Sequence, residues 1–335
     1  MNGASIVDNK MRAAVYTRYG APDVLTIREV EAPVPGDGEV LVRTHATTVS
    51  AVDSTFRKGS DFSARMFTGV IRPKRTILGF EFAGVVEAVG DGVASVKPGD
   101  PVLGDPGPDF GAHAELIRVP ENGVLVPKPT SLTFTEAAAL SGGGLTALPF
   151  LRDAGKLEHG KSILIIGASG SVGTIAVQLA KHFEAHVTGV CSTDNVELVA
   201  SLGADEVVDY RRDDFTRSGK TFDVIFDAVG KSSFGRCKRA LKDGGVYLTT
   251  VVTLPILLQM PLTKNANRQA QILFTGLRAP ADRRNDLAYL TTLVEAGKLK
   301  VVVDRVFSFE EIADAHRYVD AGHKKGNVVI TLIDG

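Results

Sequence analysis

Three glycines, Gly167, Gly170 and Gly173, have the spacing of a phosphate-binding turn. They join an apolar run at 162–166 to an amphipathic segment at 171–181, which the pattern predicts to be a strand followed by a helix. The first glycine would tighten the turn, the second would let the backbone approach a pyrophosphate, and the third would let the helix pack on the strand. Unbonded N–H groups at the start of the helix favour an anion. The spacing therefore predicts a dinucleotide-binding turn, although glycines of this kind also serve simply as tight turns.

The bulk composition narrows the classes of protein to which the chain can belong. Its 335 residues suggest two domains, each with a core of its own. With 38 basic and 39 acidic residues and no dense Lys/Arg run, the chain lacks the charge distribution of a nucleic-acid-binding protein. The two cysteines, Cys191 and Cys237, do not make a disulfide framework. Residues 1–10 lack the pattern of a secretory signal, so we expect a flexible leader and a cytoplasmic protein.

One apolar stretch, 249–262, has to be weighed as a membrane element. It is too short to span a bilayer, and prolines interrupt it. We expect a buried strand end followed by an apolar loop at about 254–262 that lines a cleft or a subunit contact. Peripheral membrane contact is an alternative, but no integral membrane segment is expected.

The order of predicted elements indicates an α/β protein with two kinds of domain. Residues 11–128 read as short strands separated by Pro and Gly, which is typical of a β-rich, barrel-like unit. A capping box at Thr133 and Glu136 opens a helix, Gly142 to Gly144 interrupt it, and a second helix follows to about Ala154. From 162 onward strands and helices alternate, which predicts a parallel sheet with its ligand at the carboxyl ends of the strands.

Taken together, several motifs resemble the medium-chain dehydrogenase/reductase superfamily, and within it the zinc-independent quinone oxidoreductase branch. The motifs that carry the resemblance are 73–90, 96–100, 111–115, 167–173, 202–205, 226–230 and 322–330. The resemblance implies a GroES-like β-barrel substrate domain at 11–134 and 304–335, and a Rossmann doubly wound parallel-sheet domain at 135–303. It also implies reduction by NAD(P)H in the cleft between the domains, and a homodimer with the sheet edge near 247–251 or the apolar loop as its interface.

Departures from the zinc-dependent alcohol dehydrogenases concern the metal ligands. Ser50 stands near the position of a cysteine ligand, and Phe80 in Gly79-Phe80-Glu81 stands where those enzymes have histidine. A catalytic zinc needs about three N, S or carboxylate ligands, and Phe80 supplies none. His182 and His186 are the only histidines at i,i+4, but a helix end and a strand start separate them. No zinc site is expected.

The end of the predicted second strand bears on the choice between NAD and NADP. Cys191, Ser192 and Thr193 are uncharged, and Ser192 could accept a 2′-phosphate. A carboxylate there would repel the phosphate by roughly 4 kcal/mol at 4 Å and an effective dielectric of 20, so its absence favours NADP. Asp194 leaves an alternative open, because it is either a helix cap or a ribose ligand.

The resemblance also assigns positions around the nucleotide. Tyr210 would lie near the adenosine phosphate, beside Arg211 and Arg212, which are either ligands or merely solvated. The remaining implied cofactor residues are Thr146, Gly167, Ala168, Ser169, Gly170, Ser171, Val172, Gly173, Ala228, Val229, Thr250, Val251, Phe274 and Asn327. Asn327 departs from the lysine of many relatives.

No residue type in the sequence identifies the proton donor. Ser50 and Asp53 are the candidate catalytic residues, although the favoured alternative for Asp53 is a structural role in which it anchors a turn by accepting N–H bonds. His113 is a further candidate, with an ordinary half-buried strand residue as the alternative.

The expected reaction is NADPH-dependent reduction of an apolar quinone or α,β-unsaturated carbonyl. The alternatives are a zinc-free alcohol or carbonyl oxidoreductase of a biosynthetic pathway, and a non-catalytic NADPH-binding or structural protein.

Overall fold

The chain divides into two compact units in a computed structural model that describes residues 10–60 and 62–333. The first unit comprises the described residues up to Ser141, together with Ala279–Thr291 and the described residues from Val303. The second comprises Gly142–Arg278 and Thr292–Val302. The expected leader lies outside the described residues except for Lys10, which begins the first strand.

The first unit is built mainly from antiparallel strands. Its elements are β1 (Lys10–Val15), β2 (Thr26–Glu31), β3 (Glu39–Val49), α1 (Ala51–Lys58), α2 (Phe62–Thr68), β4 (Phe82–Val89), β5 (Pro101–Asp105), β6 (Leu116–Pro120), β7 (Val124–Pro127), β14 (Val303–Ser308), α9 (Ile312–Asp320) and β15 (Asn327–Thr331). Strands β1 and β2 pair with each other. The others form one sheet in the order β14-β15-β3-β4-β5-β7, and β6 also pairs with β3.

The long strand β3 organises this sheet because it pairs with β15, β4 and β6. Its side chains from Val40 to Val42 are at most 2% exposed, and Val49 at its carboxyl end is 1% exposed. Helix α9 packs near this end, where Phe309, Ile312 and Ala315 form a core with Val49. The carboxyl end of β3 is therefore fixed from both sides, and α1 starts directly after it.

The second unit is a six-stranded parallel sheet. Its elements are β8 (Ser162–Ile166), α4 (Ser171–His182), β9 (His186–Cys191), α5 (Val196–Ser201), β10 (Glu206–Asp209), β11 (Phe222–Asp227), α6 (Phe234–Cys237), β12 (Leu241–Thr249), α7 (Leu254–Thr263) and β13 (Gln269–Ile272). The strand order is β10-β9-β8-β11-β12-β13. This is a doubly wound order, in which the chain adds strands outward from β8 on one side and then returns to add β11 on its other side. Such folds bind ligands at this switch point, between β8 and β11. The predicted α/β fold class is confirmed.

Two helices belong partly to each unit along the chain: α3 (Phe134–Pro149) and α8 (Pro280–Glu295). The capping box at Thr133 and Glu136 is present, with the Glu136 carboxylate 2.9 Å from both the Thr133 amide and hydroxyl. The predicted break at the three glycines is wrong, because α3 continues through them. A Cβ on Gly143 would lie 2.7 Å from the Ser171 carbonyl oxygen, so Gly143 allows α3 to pack closely on the start of α4.

Two expectations for the apolar stretch are wrong. The expected loop at 254–262 is the helix α7, which starts at the Thr253 cap and exposes Leu254, Leu258 and Leu262 by 58–80%. The expected sheet edge at 247–251 is not an edge, because β12 lies between β11 and β13. None of the helices among the described residues has the length and hydropathy needed to cross a membrane.

Candidate functional site

The glycine-rich turn connects β8 to α4, as its spacing predicts. Gly167 has a φ of +80°, and a Cβ there would lie 2.6 Å from the Val229 side chain. A Cβ on Gly173 would lie 2.1 Å from the Gly167 carbonyl oxygen, so only glycine fits. At Gly170 the nearest atom to an added Cβ is 3.5 Å away. The protein's own packing therefore requires the first and third glycines but leaves space at the second, the position at which a ligand would approach the backbone.

The predicted cofactor residues of the second unit lie on the side of its sheet where the strands have their carboxyl ends. Each follows the carboxyl end of a parallel strand or belongs to the turn and helix beside it, except Thr146, which is on α3. Backbone hydrogen bonds join these loops to neighbouring strands: the amides of Ala168, Ala228 and Thr250 donate to carbonyl oxygens at or one residue before the ends of β9, β8 and β11, at 3.0–3.2 Å. Val229, Val251 and Phe274 are 39–49% exposed there. The structure thus brings these residues together along one strip.

An additional side chain, Asn195, borders the glycine-rich turn and was not predicted. Its Nδ2 donates to Ser169 Oγ at 2.9 Å, and Asn195 is only 7% exposed. Its Oδ1 is buried without a hydrogen-bond partner among the described residues. A buried acceptor of this kind normally has a partner, and a ribose hydroxyl would supply one. The turn and its surroundings therefore fit a dinucleotide.

The end of β9 carries the polar groups expected near the adenosine ribose. Ser192 is partly exposed and Tyr210 is 57% exposed. The helix-cap alternative for Asp194 is wrong, because α5 is capped at Asn195, and the ribose-ligand alternative stays a prediction. The Asp194 carboxylate pairs with Arg211 at 3.1 Å. Arg211 is therefore not merely solvated.

A second carboxylate at this end, Asp209, is already hydrogen-bonded within the protein. Thr193 Oγ1 donates to its Oδ2 at 2.6 Å, and the Arg211 amide donates to its Oδ1 at 3.0 Å. The hydrogen bond from Thr193, with the charges of Arg212 and Arg211, holds the pKa of Asp209 below its usual range. Both of its oxygens are engaged, so Asp209 is a brace between β9 and β10.

Another carboxylate, Asp227, shapes the loop after β11 and was also missed from the sequence. It is fully buried and accepts the amides of Val229, Lys231 and Ser232 at 2.8–3.2 Å, and the Tyr247 hydroxyl at 3.0 Å. These bonds fix the loop that contains Val229, whose side chain lies against Gly167. The only sequence signal was its place at the end of an apolar strand.

The candidate catalytic pair lies in the first unit, at the start of α1. Ser50 is the helix cap, and its amide and hydroxyl both donate to Asp53 Oδ2, at 2.8 and 2.7 Å. The Gly79 amide donates to Asp53 Oδ1 at 3.1 Å, and Asp53 is fully buried. Asp53 therefore anchors a turn, while the partly exposed Ser50 is held in one orientation. The Ser50-x-x-Asp53 spacing is a capping-box pattern that could have predicted α1.

The predicted nicotinamide residue Asn327 belongs to the same end of the first unit. It begins β15, and the next residue, Val328, pairs with Val49, directly before Ser50. Asn327 is 4% exposed. Within the first unit, Asn327 therefore lies at the same end of the sheet as Ser50 and Asp53.

Three aromatic rings, Phe56, Phe80 and Phe110, lie beside this turn with centroids 4.3–5.4 Å apart. Phe56 and Phe80 are partly exposed. Phe110 has a φ of +59°, a backbone conformation that is uncommon for an aromatic residue. The Arg75 guanidinium lies 5.3 Å from the Phe110 ring. The rings give the Ser50 turn an apolar surround.

A buried carboxyl, Glu81, follows Phe80. Thr48 Oγ1 donates to it at 2.6 Å. Burial, with smaller contributions from Asp53 and Asp105, raises its pKa to about 8. Near neutral pH Glu81 is therefore mainly an uncharged acid.

The donor atoms around Ser50 do not make a zinc site. Phe80 has no ligand atom, Ser50 is bonded to Asp53, and His113 Nε2 lies 2.8 Å from the Thr48 carbonyl oxygen. His113 is fully buried, so the half-buried alternative is wrong. Across residues 10–60 and 62–333, no group of three or more His, Cys, Asp or Glu side chains is arranged to hold a metal ion.

Comparison with known proteins places both units. Residues 36–130 match the family described as alcohol dehydrogenase GroES-like domain, and residues 202–330 match the family described as zinc-binding dehydrogenase. The chain is 36% identical to a 2-methylene-furan-3-one reductase of Solanum lycopersicum, over 97% of this chain and 80% of that protein. It is 33% identical to the chloroplastic NADPH-dependent alkenal/one oxidoreductase of Arabidopsis thaliana, over 97% and 80%.

Solved structures agree with these sequence relatives. The quinone oxidoreductase of Coxiella burnetii is 29% identical and superposes with a TM-score of 0.87, covering 97% of this chain and all of that one. The GroES-like fold of the first unit and the parallel sheet of the second are thus those of the relatives. The chain belongs to the medium-chain dehydrogenase/reductase superfamily, in its quinone oxidoreductase branch.

Proposed function

We propose that the protein is an NADPH-dependent reductase of quinones or conjugated enones and enals, and that it works without zinc. The observation that carries the proposal is the glycine-rich turn, whose second glycine leaves room for a ligand while the first and third are required by packing. Relatives named as alkenal/one and quinone oxidoreductases support the acceptor class.

The residues that would hold the nucleotide are those along the strand ends of the second unit. Gly170 to Gly173 would bind the pyrophosphate, since first-turn amides favour an anion. Ser192, Tyr210 and Arg211 would bind the adenosine end. The bound nicotinamide supplies the hydride, so the protein's contribution is orientation and exclusion of water.

The residues that would receive the acceptor are those at the Ser50 turn. Phe56, Phe80 and Phe110 would contact its apolar part. The Ser50 hydroxyl has one hydrogen, which it donates to Asp53 in this structure. It would turn this hydrogen from Asp53 to an oxygen that gains negative charge, while the Ser50 amide keeps its own bond to Asp53. A reduced enone or quinone needs only such a donor and a proton from solvent, so no strong acid is required.

We expect NADPH to exceed NADH by at least tenfold in kcat/KM. The Arg211–Asp194 pair is exposed, and exposed ion pairs are weak, so Arg211 can turn to a 2′-phosphate at small cost. Steady-state kinetics with both nucleotides measures the ratio. Comparable values would contradict the preference, and Arg211→Gln should reduce it without changing the NADH value.

We expect Ser50→Ala and Asp53→Asn each to retain measurable turnover. Ser50 orients an oxygen that can also be protonated by water, so its loss should slow the reaction without abolishing it. Single-turnover kinetics with saturating NADPH measures the effect, and circular dichroism checks folding. A loss beyond a thousandfold in a folded variant would reveal a committed acid at this turn.

A panel of quinones, enones, enals and simple aldehydes tests the function as a whole. Oxidation of NADPH by quinones or enones, followed by absorbance, supports the proposal. Preference for simple aldehydes would favour the carbonyl oxidoreductase, and tight NADPH binding with no oxidation by any acceptor would favour a binding protein.

We also propose that the protein is a homodimer located in the cytoplasm. The proposal of a dimer is supported by the edge position of β13 and by the exposed leucines of α7. Some relatives are named as mitochondrial or chloroplastic, so expression of a tagged chain is the direct test of location.

A further inference from the structure

Two buried histidines of the first unit, His113 and His316, lie side by side. Their ring centroids are 5.7 Å apart and the rings are perpendicular. Both side chains are fully buried. His316 is on α9. His113 is in the segment before β6, and its ring is hydrogen-bonded to the Thr48 carbonyl near the end of β3.

The partners of each ring fix its tautomer. His113 Nε2 lies 2.8 Å from the Thr48 carbonyl oxygen, which can only accept, so Nε2 carries the hydrogen. His316 Nδ1 lies 3.2 Å from Arg57 Nε, which can only donate, so Nδ1 is the acceptor and Nε2 carries the hydrogen. Burial, with contributions from the neighbouring His113 and from the charges of Arg57 and Lys58, lowers the pKa of His316 well below its usual value, so His316 is neutral.

These assignments leave two complementary atoms without partners among the described residues. His113 Nδ1 is a buried acceptor, and His316 Nε2–H is a buried donor. Leaving either group unbonded in a protein interior is unfavourable, and one water needs polar partners of this kind to be retained there. One missing donor and one missing acceptor on adjacent rings satisfy each other.

We propose that one buried water joins His316 Nε2–H to His113 Nδ1, and that the two histidines form a positioning pair for Asp53 and Ser50. The pair would complete a hydrogen-bonded chain from the Arg57–Asp320 ion pair, whose atoms are 2.6 Å apart, to the Ser50 turn. The inference rests on the proposed function, because Ser50 is the residue that would meet the acceptor.

The tautomer of His113 matters because of what its Nε2 faces. Besides the Thr48 carbonyl, Asp53 Oδ1 lies 3.9 Å from it. With the hydrogen on Nε2, the ring presents a positive edge to both oxygens. With the hydrogen on Nδ1, a lone pair would face a carbonyl and a carboxylate, and Asp53 would move away from Ser50. His316 prevents this because it donates to the bridging water, which in turn donates to Nδ1. It thus acts on Ser50 through the water, His113 and Asp53.

Two substitutions interrupt the pair and keep the other bonds. In His316→Asn the amide oxygen still accepts from Arg57, but no donor extends toward His113. In His113→Gln the amide nitrogen still donates to Thr48, but no acceptor faces His316. We expect each variant to lower kcat five- to tenfold with KM changed less than twofold, and the double variant to lose no more than either single one. In a Ser50→Ala background neither should have a further effect.

Nitrogen-15 NMR of the full chain with labelled histidine tests the pair without activity. We expect the Nε2–H tautomer for both rings, and a shift of the His113 Nδ1 resonance in His316→Asn. The exposed His159→Asn should leave these resonances and kcat unchanged. If either ring has the Nδ1–H tautomer, or if the His113 Nδ1 resonance does not shift in His316→Asn, the proposed hydrogen bonding between the two histidines is wrong.

The kinetic and spectroscopic outcomes separate the inference from the proposed function. Turnover that both single variants leave unchanged, or additive losses in the double variant, overturns the positioning role. Turnover absent with every acceptor of the panel overturns the proposed function instead, and the resonances still decide whether the pair exists.

Discussion

Replacing Gly173 by alanine is expected to weaken nicotinamide nucleotide binding strongly and to lower the melting temperature. The added Cβ would lie 2.1 Å from the Gly167 carbonyl oxygen and 2.8 Å from the backbone of Ala168, so the turn must move away from the helix. Backbone atoms cannot yield as a flexible side chain can. We expect at least a hundredfold weaker binding of NADPH, measured by calorimetry or by quenching of nucleotide fluorescence.

The neighbouring Gly170→Ala is the matched control. Its Cβ meets no protein atom closer than 3.5 Å, so the melting temperature should stay close to that of the unaltered protein. Its NADPH affinity should still fall, because the methyl group occupies the space into which a pyrophosphate would approach. An unaltered affinity in Gly170→Ala would mean that the nucleotide does not approach this turn, and would remove the main support for the proposed function.

The second large effect concerns Glu81 and the dependence of stability on pH. Because burial raises the pKa of Glu81 to about 8, the folded protein binds a proton that the unfolded chain releases near its ordinary value of 4.5. The stability that this carboxyl contributes is therefore fully present below about pH 4.5 and is lost as the pH rises toward 8. A pKa change of this size corresponds to roughly 5 kcal/mol as an upper limit.

Glu81→Gln should remove this loss of folding stability at high pH, because glutamine has no ionisable proton. Glutamine fills the same space and still accepts a hydrogen bond from Thr48. We expect the variant to gain about 3 to 5 kcal/mol relative to the unaltered protein between pH 5 and pH 9, read from urea unfolding at a series of pH values. Burial lowers the pKa of Lys324 to about 8, and the charge of Glu81 raises it, so the comparison is repeated with Lys324→Met in both proteins to remove this coupled titration. The exposed Glu158→Gln serves as control, and a flat difference for Glu81→Gln would contradict the prediction.

The parts of the fold that were predictable are those governed by local patterns. The apolar run at 162–166, the glycines after it and the alternation of strands and helices determine the parallel sheet, and the resemblance added the GroES-like unit. The capping box at Thr133 was visible because it depends on residues three positions apart. The role of Asp53 as a turn anchor could be proposed for the same reason, since Ser50 and Asp53 are also three positions apart.

The parts that were missed depend on residues distant in sequence. The three glycines of α3 look like a helix break until Ser171, about thirty residues later, lies against Gly143. The helix α7 follows the threonine cap Thr253, but its two prolines indicated breaks, although Pro255 lies in the first turn and the helix continues past Pro261. Asp227, Asn195 and the His113–His316 pair act through partners on other elements, which a single sequence does not reveal.

The backbone hydrogen bonds that join the loops after β8, β10, β11 and β12 to neighbouring strand ends have a further consequence. Because these loops are attached to the strands beside them, their binding groups are already in place before a ligand arrives. Little chain entropy then remains to be lost on association. The nucleotide should therefore bind without rearrangement of these loops. Its affinity should depend on the register of the sheet as much as on any one contact.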